Sequence, residues 1–205
     1  MDLIDRNILR SYIPEKSVGA VCDLLDLFPV RLNIVNPRKR IHGSYRRPKF
    51  REKYHLITVN NDLNPYTFLL TLLHEIAHLQ AYIYHKSLRH GQEWKSCFIV
   101  LIKQFMTLDV FTDDVSYALE RHIQSVKSSD FMDIFLTKTL QRYDNAPATL
   151  ADGLIMLEDV PKDAMFLHGN KRMEKKSLMR KYYLCKDVRT NRLYRCHPLM
   201  KVSLV

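Results

Sequence analysis

The chain has 205 residues, 46% hydrophobic and 26% charged, with a formal net charge of +10, a balance that excludes disordered, collagen-like and low-complexity classes. Its most apolar stretch, Tyr66 to Tyr84, is interrupted by His74, Glu75 and His78, so a bilayer span, which takes about 20 apolar residues, is not expected. The opening Met-Asp-Leu-Ile-Asp has no basic n-region or apolar core of a signal peptide, and a cytoplasmic chain without a membrane partner is expected.

In chain order, Leu3 to Tyr12 reads as a short helix. Residues 14–28 read as an amphipathic one, with Pro14 at its start and Val18, Val21, Leu24, Leu25 and Phe28 at helical spacing. From Val30 the period changes to strand-like alternation through Ile34, and Asn36-Pro37 marks a turn. Ile41–Arg46 and Tyr54–Asn60 follow as strands, which predicts a small antiparallel sheet. Asn64-Pro65 is a strong helix start, and the helix is expected to reach about Tyr84. Further helices are predicted over Gln92–Met106, Asp113–Val126 and Asp130–Tyr143, with Pro147 and Gly153 in the loosest region. Strands return at Ala164–Leu167, Leu178–Lys186, Leu193–His197 and Met200–Leu204. The expected fold class is α+β, with a main domain over 1–150 and a small basic β-rich unit over 154–205.

The chemistry is concentrated in Thr71-Leu72-Leu73-His74-Glu75-Ile76-Ala77-His78-Leu79. Two histidines four apart on a helix project from one face, one turn apart. They can share one zinc ion, with Glu75 placed to act on water beside it. Buried in an apolar helix, these polar groups cost free energy unless satisfied, and a metal would satisfy them.

A catalytic zinc has three protein ligands and one open position. His90, twelve residues beyond His78 and next to Gly91, is the first choice for the third, because the helix can end and the chain turn back over that distance. His85 competes, although it would lie about 10 Å further along a continuous helix. Glu93 competes as the carboxylate of a two-histidine, one-glutamate set. The extended metzincin pattern is excluded by Ala81 and Tyr84.

The pair HEIAH and HGQEW, behind a segment containing HGSYR and ITVNNDLNPY, resembles the SprT-like (Spartan-type) zinc metallopeptidase domain over roughly residues 14–106. The resemblance implies a minimal zincin-like domain with His74, His78 and His90 as zinc ligands and Glu75 as catalytic acid/base. It also implies proteolysis associated with DNA. Bacterial relatives often carry a C-terminal zinc ribbon. Here that region offers Cys185, Cys196, His197 and His168 without a CxxC pair, so a ribbon-like unit without the full ligand set is expected, held by Leu184, Leu193 and Tyr183. Cys22 and Cys97 are also far from any partner in sequence, as reduced thiols would be.

Peptide hydrolysis by water activated on zinc, with Glu75 moving the proton, is the expected mechanism. Tyr45, Arg46 and Tyr84 are candidates for stabilising the oxyanion. The positive charge gathers in two stretches, +8 over 31–55 and +9 over 161–205, the footprint of a nucleic-acid partner such as DNA. Tyr45, Phe50 and Tyr54 lie within the first stretch, and Tyr182, Tyr183 and Tyr194 within the second. A nucleic-acid-binding module with structural zinc, or a peptidase without a nucleic-acid partner, are the alternatives.

Overall fold

The computed structural model describes residues 6–38, 41–124, 126, 133–144 and 154–205. Expectations for residues 3–5, 125, 130–132, Pro147 and Gly153 lie outside the described residues. The chain divides into two compact units, Met1–Tyr143 and Asp144–Val205, and both mix with the expected α+β class: helices dominate the first unit and strands the second.

The first unit begins with α1 (Arg6–Arg10), a 3-10 turn (Glu15–Ser17) and α2 (Val18–Asp26). Pro14 precedes the 3-10 turn and accepts from the Ser17 backbone N–H and hydroxyl, so α2 starts four residues after the proline. Its apolar stripe, Val18, Val21, Cys22, Leu24 and Leu25, is buried.

Strands β1 (Val30–Val35), β2 (Gly43–Arg46) and β3 (His55–Asn60) form a sheet in the order β1-β3-β2. This corrects the expected antiparallel sheet: β3 is antiparallel to β2 but parallel to β1. The connection 36–42 is too long for a tight hairpin, and it carries the chain past one strand position, across about two spacings of 4.8 Å each. β3 then returns into the gap. Asn60, buried at the end of β3, fixes this arrangement: its side-chain amide donates to the Ile41 carbonyl (3.0 Å) and accepts from Arg38 Nε (2.9 Å). The Asn60 backbone N–H donates to the carbonyl of His42 (2.8 Å).

Helix α3 (Pro65–His85) lies against β2, β3 and the following helix α4 (Gln92–Met106). Thirteen of its 21 residues are buried, the pattern of a central helix covered on most sides. Asn64 caps it, accepting from the Thr67 N–H at 2.9 Å while its amide donates to the Leu140 carbonyl at 3.0 Å. Lys86 ends it in the left-handed conformation (φ 57°), with its N–H returned to the carbonyls of Ala81 and Tyr82. Helices α5 (Asp113–Ile123) and α6 (Ile134–Gln141) complete the unit, both shorter than predicted among the described residues. Asp133 caps α6 and also bonds the buried His122 of α5.

The second unit is an antiparallel sheet of β4 (Leu154–Met156), β5 (Met165–His168), β6 (Lys171–Met179), β7 (Tyr182–Asp187), β8 (Leu193–Cys196) and β9 (Lys201–Leu204), in the order β4-β9-β5-β6-β7-β8. The expected strand Leu178–Lys186 is instead the end of β6, a turn at Arg180 (φ 49°) and the start of β7. The residues expected to hold this unit also need correction. Alternation turns Tyr183, Cys185 and Cys196 inward with Phe166, Met173 and Val202, while Leu193 is 59% exposed on the other face and Leu184 falls outside the core.

Asn64→Ala is expected to lower unfolding stability by about 1–2 kcal/mol, from the lost cap and the lost amide hydrogen bond to the Leu140 carbonyl, which keeps the Tyr143 backbone N–H as a donor. Asn64→Asp, which keeps the cap acceptor, should recover part of that loss in denaturant titrations.

Candidate metal centre

His74 and His78 leave the same side of α3, one turn apart, and His90 arrives from the connection that turns the chain back into α4. The Nε2 atom of His90 lies 3.0 Å from Nε2 of His74 and 3.0 Å from Nε2 of His78. One ligand atom from each residue lies within 4.8 Å of the others, a group that could hold a metal ion. Tetrahedral Zn–N bonds of about 2.0–2.1 Å would place the nitrogens about 3.3 Å apart, close to what is seen. Burial pulls the His78 imidazole down to about 3, with His74 and His90 adding to the effect. That ring is therefore neutral at neutral pH, as a metal ligand must be.

Trp94, fully buried in α4, forms the floor beneath the three rings. Its indole lies 4.6 Å from the His74 ring, 4.5 Å from His90 and 5.4 Å from His78, centroid to centroid. Its Nε1–H donates to the His74 carbonyl at 3.3 Å, tying α4 to α3 at this level, and Phe98 stacks beneath it at 5.0 Å.

Glu75, one residue on, is turned about 100° around the helix from His74 and faces strand β2. A Cβ on Gly43 would lie 2.7 Å from Thr71 Cγ2 and 2.9 Å from Glu75 Oε1. Glycine at 43 is therefore what lets the strand close against the buried carboxylate.

Tyr45 follows on the same side of β2. Its ring lies parallel to that of His78 (6.2 Å, 4°), and its hydroxyl shares a 2.8 Å hydrogen bond with His55 Nδ1. Burial and then Tyr82 raise the Tyr45 phenol well above its ordinary value. Burial and then Lys86 lower the His55 imidazole. Both members of this pair are held neutral. His55 was not singled out in the sequence, although strand alternation puts it on the face of β3 that Tyr45 occupies in β2.

The competing third ligands do not join the cluster among the described residues. His85 is exposed at the end of α3, and Glu93 is exposed in the first turn of α4. Gly91, beside His90, has an ordinary φ of −75°, and a Cβ there would lie 3.0 Å from Glu93 Oε2. Arg46 is corrected as an oxyanion candidate: alternation puts it on the outer face of the sheet, where it pairs with Glu52. Tyr84 is 63% exposed and packs edge-on against Phe28. No metal-ligand cluster forms around Cys185, Cys196, His197 or His168 among the described residues.

The chain matches no protein-family model, no curated protein and no solved structure. The donor set itself therefore carries the chemistry: three imidazoles, that of His78 held neutral, meeting beside a buried carboxylate.

Gly43→Ala should cost about 1–3 kcal/mol of stability through overpacking, and adding Thr71→Ser, which removes the methyl in the way, should return part of it. In metal-free protein, His78 binds a proton more readily when unfolded, at about 6.5, than when folded, at about 3. Its contribution to stability is thus complete above pH 6.5 and is lost as pH falls from there towards 3. The stability difference between wild type and His78→Gln should be constant above that window and change across it in acid denaturation series.

Proposed function

We propose that the chain is a zinc-dependent peptidase whose first unit is a minimal zincin-like domain of the SprT-like type, working in contact with DNA. The observation that carries the proposal is the meeting of His74, His78 and His90, with the His90 Nε2 atom 3.0 Å from the Nε2 atoms of the other two, beside buried Glu75. Three imidazoles suit zinc and leave a fourth position for substrate or water. A structural zinc would want a fourth protein donor, and the described residues supply three.

When bound, zinc supplies Lewis acidity, making water a stronger acid and a carbonyl carbon more electrophilic. Glu75 takes the proton from the water that attacks the peptide carbonyl and delivers it to the departing nitrogen. Strand β2, seated at Gly43, keeps that carboxylate in place. Trp94 holds the imidazole of His74 from below and closes one side of the site to solvent. Tyr45, held protonated by its surroundings, is the candidate donor to the oxyanion, with His55 fixing the direction of its hydroxyl. The partner assignment rests on the basic stretches 31–55 and 161–205 and their expected attraction to phosphate.

Purified protein should contain about one zinc per chain. Glu75→Gln should keep that zinc and cleave an unstructured protein substrate about a hundred- to ten-thousandfold more slowly. His90→Ala should lose the metal. Full cleavage by Glu75→Gln, or zinc retained without His90, would overturn the assignment.

A further inference from the structure

The segment that leads from β2 to β3 is strongly basic and carries an exposed aromatic ring. Residues 46–53, Arg-Arg-Pro-Lys-Phe-Arg-Glu-Lys, hold five cations and one carboxylate. The carboxylate is used to build the loop. Glu52 accepts from the guanidinium of Arg46 and from the Lys49 backbone N–H at 2.8 Å, and these two donors hold it ionised, down at about 2. The Glu52 N–H returns to the Lys49 carbonyl at 3.0 Å, and Arg51 sits at φ 72°. This is the hydrogen bond and backbone of a turn with a left-handed third residue.

The turn lifts Phe50 out of the protein. Phe50 is 90% exposed, the most of any large apolar residue among the described residues, with the Arg51 guanidinium over its ring at 5.4 Å. Leaving a phenylalanine in water costs burial energy that the fold does not recover. Behind the turn, the outer face of the sheet forms a cleft of about 480 Å³ lined by Arg31, Asn33, Arg46, Arg51 and Tyr54 among others. Arg31 stacks over the Tyr54 ring at 4.5 Å. Aromatic rings and stacked guanidinium planes are what unpaired bases lie on, while the surrounding cations meet phosphates.

We infer that the turn Lys49–Glu52 and the cleft behind it form a binding surface for single-stranded nucleic acid, with Phe50 stacking on a base and Arg31, Lys49, Arg51 and Lys53 meeting the backbone. The inference rests on the nucleic-acid part of the function proposed above and is independent of its hydrolytic part. An anionic membrane would also attract these charges. A membrane-entering loop would present a group of apolar side chains, whereas Phe50 stands among charges, and Arg31, Arg46, Arg51 and Lys53 contribute to the cleft behind it. The surface lies on the face of the sheet opposite α3, so a bound strand would leave the three histidines open to substrate.

The test is fluorescence anisotropy with labelled oligo-dT, oligo-rU and duplex DNA of equal length, using the full chain. Wild type should bind the single strands more tightly than the duplex. Phe50→Ala should weaken single-strand binding about tenfold, the scale of one lost base stack. Lys49→Glu with Arg51→Glu should also flatten the salt dependence by about 0.7 in log–log slope for each lost phosphate contact. Phe50→Leu reports on the ring alone and should bind like Phe50→Ala. Wild-type binding that these variants leave intact overturns the surface and moves the contact elsewhere, for instance to 161–205. No wild-type binding at low salt overturns the nucleic-acid reading itself, while zinc content and Glu75-dependent cleavage still judge the peptidase. Vesicles of phosphatidylcholine and phosphatidylserine form the last arm: Phe50-dependent binding to them without Phe50-dependent oligonucleotide binding makes the loop a membrane contact and overturns the inference.

Discussion

One imidazole nitrogen held 3.0 Å from two others is not a comfortable arrangement for neutral rings. His90 Nε2 makes both short contacts, and a single ring nitrogen carries either one proton or one lone pair. Whichever tautomers the rings adopt, one proton cannot serve both contacts well. Protonating a ring would relieve the lone pairs, but burial opposes it at His78. A small divalent cation satisfies all three nitrogens together, and the rest of the first unit is arranged as if to hold them for one.

The support is redundant and mostly apolar. α3 is buried on most of its circumference, with His78 and Glu75 among its buried residues. Trp94 touches all three rings and ties its own helix to the His74 carbonyl. One fully buried indole thereby fixes the distance between α3 and α4 at the level where His90 must arrive. On the remaining side, a glycine admits β2 to van der Waals contact with Glu75. Precision at a site depends on such neighbours as much as on the ligands.

The parts of this arrangement that depend on local periodicity were legible in the sequence. The i, i+4 histidines, the Asn64-Pro65 start and the limits of α4 follow from helical spacing and capping chemistry. His90 followed from the chain length needed to turn back. What was not legible depends on long-range pairing. Nothing local says that β3 will slip between β1 and β2, because the two residues that secure it, Arg38 and Asn60, are 22 apart and polar. β6 was missed for a different reason. Its inward-facing positions include Lys175, where an apolar residue would signal a strand. That ammonium is buried because it donates to the carbonyls of Glu158 and Val160 and lies 3.9 Å from the Tyr183 ring, a set of partners that no pattern of hydrophobicity reveals.

Strand β2 shows how much rests on register. In four residues it gives Gly43 and Tyr45 to the α3 side and Ser44 and Arg46 to the other. A slip of one position would exchange these sets, pressing a serine Cβ into Glu75 and an arginine against His78. Two-residue periodicity alone does not forbid this, since the strand has no strongly apolar face. The register is held instead by polar pairs on the outer side: Ser44 with Thr58 at 2.7 Å, and Arg46 with Glu52, together with the Asn60 clamp at the far end. The hydrogen bonds that shape the outer, basic face are therefore the same ones that keep Gly43 and Tyr45 facing the histidines.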